Sequence, residues 1–189
     1  MKRGRKPVAA SGILDAACRV FSQKGYFRAT VDDVMRSAGV GKGTVYRHFP
    51  DKEGLLVALL SRMAADLNER VSAGLKSSGN LQDRLTWVAR DTLDFFSARP
   101  ALLRIFVREG ALTIPLVRKT MGTIVRRNND RLAEILGGRS MMRAAAVFNG
   151  MIFSLLRQRI GINDEPIHPA KDAEFLVGIF LYGFRGRKS

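Results

Sequence analysis

Apolar residues recur at three- and four-residue intervals along most of the chain, the period of helices that bury one face. From Ser11, the residues Ile13, Ala16, Ala17, Val20 and Phe21 form such a stripe, with Ser11 as the expected N-cap and Gly25 as the stop. Tyr26 and Phe27 are placed to fold back onto it. Thr30 opens a second helix: Thr30-x-x-Asp33 has the spacing of a capping box, and Val31, Val34, Met35 and Ala38 supply the apolar side. Gly39 and Gly41 then bend the chain into a short helix that Pro50-Asp51 terminates. Asp51 caps a long helix to about Val71–Ser72, apolar at Leu55, Leu56, Leu59, Leu60, Met63 and Leu67. KSSGN at 76–80 is the clearest loop. Further helices are expected over Leu81–Ser97, from Pro100 with Leu102, Leu103, Phe106 and Val107, from Pro115 to Gly137-Gly138, over Ser140–Ile160 and over Ala170–Phe184. No internal repeat and no pair of strand-like segments interrupts the pattern. The expected fold is all-α, with about nine helices.

The stretch Ala38–Leu56, AGVGKGTVYRHFPDKEGLL, departs from plain amphipathicity. Lys42, Thr44, Tyr46, Arg47 and His48 crowd one short helix with cationic, hydroxyl and aromatic hydrogen-bonding groups, which is how a helix offered to nucleic acid reads. The DNA major groove, about 12 Å wide, admits one helix, and side chains near its N-terminal end reach the base edges. Gly43 lets the backbone approach a duplex, whereas Val45 and Phe49 read as core.

Residues 11–60 resemble the DNA-binding domain of the TetR family of bacterial transcriptional regulators. The resemblance rests on a linked series: Phe21, Gly25-Tyr26, Thr30-Val31, Ala38-Gly39-Val40, Lys42-Gly43-Thr44-Val45-Tyr46, His48-Phe49, Lys52-Glu53 and Leu55-Leu56. It implies a three-helix helix-turn-helix domain over 8–68, with turn and recognition helix at about 31–50. A long helix joins it to a helical effector-binding and dimerisation domain over 69–189. It also implies DNA contacts from Thr30, Lys42, Gly43, Thr44, Tyr46, Arg47, His48 and Lys52. Of these, Thr44, Tyr46, His48 and Lys52 are the expected phosphate clamps, Tyr46 or Thr44 also touching a base. Arg47, at a variable position, is the candidate base reader. Gly41 stands where the family often has serine, so one hydroxyl contact to phosphate is lost.

Composition sharpens the choice of partner. The 189 residues carry a formal charge of +15, which attracts polyanions: nucleic acid or an anionic membrane surface. The excess is spread over the whole length, so charge alone does not locate the site. In the basic segment 1–7, Arg3, Arg5 and Lys6 form either a solvated tail or an arm for the minor groove; RGRKP resembles the core of AT-hook arms. The single cysteine, Cys18, excludes an internal disulfide and fits buried packing in a reducing cytoplasm. Two distant histidines, His48 and His168, give no metal-ligand spacing, and no cofactor is implied. No segment has the length of a membrane span or the form of a signal peptide.

The last two long helices carry small and apolar residues and read either as monomer core or as half of a four-helix dimer interface. For a TetR-like chain the effector is expected among the middle helices, with Trp87, Phe95, Phe96, Leu103, Phe106 and Met121 as candidate liners or plain core. Asp91 and Asp94 near Trp87 suit a cationic ligand or a solvated face. The basic run Arg118, Lys119, Arg126, Arg127 and Arg131 suits an anionic effector or solvent. The expected protein is a cytoplasmic homodimer that binds a palindromic operator and is released from it by a small molecule. A sequence-indifferent architectural DNA protein is the alternative. An enzyme acting on a phosphorylated substrate is disfavoured, because no histidine neighbours a nucleophile and no phosphate-cradling loop is present.

Overall fold

The computed structural model of the chain describes residues 10–75, 79–100, 103–104 and 111–183, which form eight α-helices and no strand. The N-terminal head is built from α1 (Ala10–Lys24), α2 (Val31–Ala38) and α3 (Lys42–His48). Its core encloses Ile13, Phe21, Val34, Val45 and Leu55 completely. Helix α1 begins ahead of Ser11, so Ser11 lies within its first turn; the Ser11 carbonyl accepts an N–H of Arg62 at 3.1 Å. Of the two aromatics expected to fold back, only Tyr26 does, edge-on to Phe21 at 5.3 Å, while Phe27 is exposed. The capping box of α2 is formed. The Asp33 N–H donates to Thr30 Oγ1 at 3.2 Å, and the Thr30 N–H donates to Asp33 Oδ2 at 3.1 Å. Gly39 ends α2 at φ +67, a left-handed backbone that glycine adopts without a Cβ penalty.

Helix α4 (Lys52–Leu75) connects head and body. Asp51 caps it by accepting the Gly54 N–H at 2.7 Å, and its 24 residues run beyond the expected end. At 1.5 Å per residue it is roughly 36 Å long. The body consists of α5 (Leu81–Ser97), α6 (Pro115–Leu136), α7 (Met142–Leu156) and α8 (Pro169–Tyr182). Helix α5 packs on α8 and α4, and α6 packs on α7 and α4. Leu85, Leu93, Phe148, Ile152 and Leu156 are fully enclosed among them. Pro115 starts α6, where a missing N–H leaves no bond unmade, and Gly137 and Gly138 close it at φ +120 and +103.

The helix expected over Ser140–Ile160 divides in three: a 3-10 turn at Arg139–Met141, α7, and a π-helical segment at Arg157–Asn163. Asp164 ends this last segment in the left-handed region and pairs with Arg104. Arg159 binds Asp172 at 3.2 Å and the Pro166 carbonyl at 3.0 Å, tying the segment to the start of α8. The short helix expected from Pro100, including Phe106, lies outside the described residues apart from Pro100, Leu103 and Arg104. The N-terminal arm with Arg3, Arg5 and Lys6 lies outside them as well.

Candidate nucleic-acid interface

Helix α3 has one face in the core and the rest in solvent. Val45 is fully buried, and Phe49, its C-cap, is 8% exposed. At about 100° per residue, Gly43 and Arg47 fall opposite Val45, while Tyr46 and Thr44 lie on the two flanks. Lys42, Gly43, Tyr46, Arg47 and His48 are exposed and Thr44 is half-buried. The Lys42 ammonium stands 5.7 Å from the centroid of the Tyr46 ring, so charge and aromatic hydroxyl share one edge of the helix. Gly41 starts α3 in an extended conformation with no side-chain cap. A Cβ added at Gly43 meets no atom within 4 Å, so nothing inside the head requires glycine there.

The helix is held in place by α2, whose anchor is Asp33. This nearly buried carboxylate receives Lys24 Nζ at 2.6 Å and Arg36 Nη2 at 2.5 Å besides the Thr30 N–H. The Lys24 hydrogen bond first, then the Thr30 backbone N–H, hold its carboxyl far below the usual carboxylate range. Sequence reasoning saw Asp33 only as half of a capping box. Thr30 is exposed at the start of α2, on the head with α3.

Lys52, expected as a phosphate clamp, turns its ammonium onto the α1–α2 turn. Its ammonium donates to the carbonyls of Tyr26 at 3.1 Å, Phe27 at 3.2 Å and Ala29 at 3.1 Å, and lies 4.6 Å from the centroid of the Tyr26 ring. An ammonium has three protons, and all three are engaged. The Tyr26 phenol is pushed up to about 12, by burial first and then by the carboxylates of Glu53 and Asp51.

Of the described residues expected to line an effector pocket, Trp87 and Phe95 border different hollows. Trp87 is 43% exposed on the outer side of α5, beside Arg90, Asp91 and Asp94. Arg70 bonds both of those aspartates at 3.0 Å, so their charge is met from within the protein. Phe95 is buried under the Arg99 guanidinium, 4.4 Å from its ring, and Phe96 packs edge-on to Phe95 and Phe153. Leu103 is buried and Met121 half-buried. A small, partly open hollow of the body lies elsewhere, among α4, α5, α6 and α7. It is a cavity of about 40 Å³ with Leu67, Val71, Leu132 and Phe153 on its apolar side and Asn68 and Arg131 among its polar groups. Asn149, also on this cavity, donates to Asn129 at 2.9 Å. Asn68 also lines a groove of about 340 Å³ between α4 and α6, bordered by Lys119 and Arg127. The basic run read from the sequence reaches this cavity through Arg131, but its asparagines carried no signal, because they sit one per helix and converge only on packing.

The described residues hold no group of His, Cys, Asp or Glu able to bind a metal ion, and no described helix is long and apolar enough to cross a membrane.

Residues 13–59 match the family described as bacterial regulatory proteins, tetR family. The fatty acid metabolism regulator protein of Bacillus subtilis is 32% identical over 76 residues, which are 40% of this chain and 39% of that protein. The transcriptional activator FasR of Mycolicibacterium smegmatis is 27% identical over 160 residues, 82% of this chain and 73% of FasR. The chain spans about half, or less, of the length of the first curated relatives it matches. In fold, it superposes on the transcriptional regulator FadR of Bacillus subtilis, crystallised in complex with stearoyl-CoA. The TM-score is 0.84 at 20% identity, over 94% of this chain and all of that one.

Proposed function

The chain belongs to the TetR family of bacterial transcriptional regulators, and on that premise we propose that it is a dimeric, sequence-specific DNA-binding repressor released by a small molecule. The observation that carries the proposal is the exposed face of α3, with Arg47 and Gly43 opposite the buried Val45. In this reading α3 enters the major groove and Arg47 reads a base through a bidentate contact to guanine. Thr30, Lys42, Thr44, Tyr46 and His48 take phosphates, and Gly43 admits the backbone close to the duplex. Arg3, Arg5 and Lys6 add a minor-groove arm. Selection of bound duplexes from random DNA tests it, and enrichment of a palindrome with half-sites one helical turn apart is expected. Equal binding of random and enriched duplexes at physiological salt would instead identify an architectural DNA protein.

The dimer is assigned to the outer faces of α7 and α8. Val147, Phe175 and Tyr182 are 58%, 57% and 63% exposed there, a row of apolar groups that a second copy would cover. The effector is assigned to the body. In this reading it is a fatty acyl-CoA, its anionic head in the groove with Lys119 and Arg127 and its chain entering beside Leu67, Val71 and Phe153 once the helices around the small hollow there part. FadR of Bacillus subtilis, of the same fold, was crystallised with such a molecule. Titration of the protein–duplex complex with stearoyl-CoA, against CoA alone and stearate alone, decides this. Release by the thioester only is expected, and equal release by stearate would remove the basic groove from the site. A cytoplasmic location belongs to the same proposal, since a DNA partner and a metabolic effector would both be met there.

A further inference from the structure

We propose that the effector carries a hydroxyl within a few atoms of its anionic head, as a 3-hydroxyacyl group does, and that Asn68, Thr92 and Asn128 select it. The inference rests on the acyl-CoA reading above and names the acyl group that this body prefers. The hollow among α4, α5, α6 and α7 takes a polar side chain from each helix: Asn68, Thr92, Asn128 and Asn149. Asn149 donates to Asn129 at 2.9 Å. The side chains of the other three make no hydrogen bond among the described residues. Thr92 is the most telling of them, because it is only 5% exposed. A threonine within a helix ordinarily returns its hydroxyl to the carbonyl four residues back, as Thr123 does to Lys119 at 3.2 Å. Thr92 forgoes that bond and lines the hollow. A buried hydroxyl without a partner is destabilising, and an oxygen brought by a ligand would supply the partner.

Placement decides which part of the ligand meets these groups. Asn68 borders both the hollow and the groove assigned to the anionic head. Arg127 of the groove is followed directly by Asn128 of the hollow. The polar side chains therefore face the first carbons of the acyl group, not its far end. The hollow of about 40 Å³ has room for one small group beside them. Two amides and a hydroxyl provide both donors and acceptors without charge, which matches a ligand hydroxyl that donates and accepts. The charged side chain on this hollow, Arg131, is exposed to solvent. A plain methylene in the same place would strip water from all three groups and give nothing in return.

The test is a calorimetric titration of the full chain with 3-hydroxyhexadecanoyl-CoA, hexadecanoyl-CoA and 16-hydroxyhexadecanoyl-CoA. The 3-hydroxy thioester should bind about tenfold or more tighter than either of the others. Thr92→Val keeps the shape and removes the hydroxyl, and Asn68→Leu does the same for one amide. Each should move the ratio of 3-hydroxy to plain affinity toward one. Thr92→Val should also melt at or above the wild-type Tm, since an unpaired hydroxyl has gone, which shows that the variant is folded. Equal affinities in the wild type, tighter binding of the plain or 16-hydroxy chain, or a preference that survives both substitutions overturns the proposal. A second measurement needs no CoA: the side-chain amide NMR signals of Asn68 and Asn128, followed on titration with 3-hydroxydecanoate and with decanoate. Saturable shifts with the hydroxylated acid alone are expected. Equal shifts with both, or none with either, overturn the proposal. A protein that gives the expected shifts but binds no thioester sinks the acyl-CoA reading alone, and selection of a 3-hydroxyacyl group stands.

Discussion

At Asp33 a single carboxylate receives Lys24, Arg36 and the Thr30 N–H, and each contact favours its charged form. The unfolded chain takes up a proton near the ordinary value of 3.8, and the folded chain resists until well below it. The contribution to stability is therefore complete above about pH 5 and is lost as pH falls through the folded value. Asp33→Asn should lower Tm clearly at neutral pH, with the gap to wild type narrowing below pH 4 in a series of thermal melts; a constant gap would remove the charge from the account. Tyr26 behaves in the opposite sense. Its phenol stays protonated in the fold up to about 12 while the unfolded chain ionises near 10, so stability falls as pH rises between the two. Tyr26→Phe should remove that alkaline loss. Arg47 is the residue to alter for specificity. Arg47→Ala should cost roughly 1–3 kcal/mol at one base pair and leave the others alone, read by repeating the selection with the variant. These side chains were identified from sequence by type and spacing, but their partners were not. The family resemblance made Lys52 an expected phosphate ligand, and the oxygen cup around its ammonium appears only once the turn at 26–29 has folded under α4.

Whole helices were more legible than the contacts between them. The N-cap at Thr30, the glycine stop at Gly39, Asp51 ahead of α4, and the limits of α5 and α6 are all local chemistry, and the structure follows them. Gly39 illustrates why. Nothing lies within 4 Å of an added Cβ, so Gly39→Ala tests the left-handed backbone alone and should cost about 1–2 kcal/mol in denaturant unfolding. A variant as stable as wild type would show that the α2–α3 turn tolerates another geometry. The division of the Ser140–Ile160 segment was not legible, because its apolar period runs on unbroken while Arg159 and Asp164 are drawn aside by Asp172 and Arg104 across the fold. Trp87 misled for a related reason. Its helix has the right period, but the face that carries it turns outward with the ion pairs of Arg70.

For the molecule as a whole, the +15 charge predicts a partner without locating it, and the head alone resolves that ambiguity by turning α3 outward. Joining Val147→Glu to Phe175→Glu should convert dimer to monomer in sedimentation equilibrium and weaken operator binding with it. A dimer unaffected by both carboxylates would move the interface off α7 and α8. The body offers a different lesson in its cavity of about 40 Å³, room for little more than a water molecule. In the proposed reading, an effector larger than a few atoms enters this hollow only once α4, α5, α6 and α7 part, so the body acts as a clock. Its opening sets a ceiling on the observed association rate, which should level off at high effector concentration in stopped-flow mixing. The affinity measured at equilibrium is lowered by the fraction of molecules that are open. A substitution that enlarges this space, such as Phe153→Ala, should raise that ceiling and quicken effector uptake, even where the final occupancy of the body hardly changes.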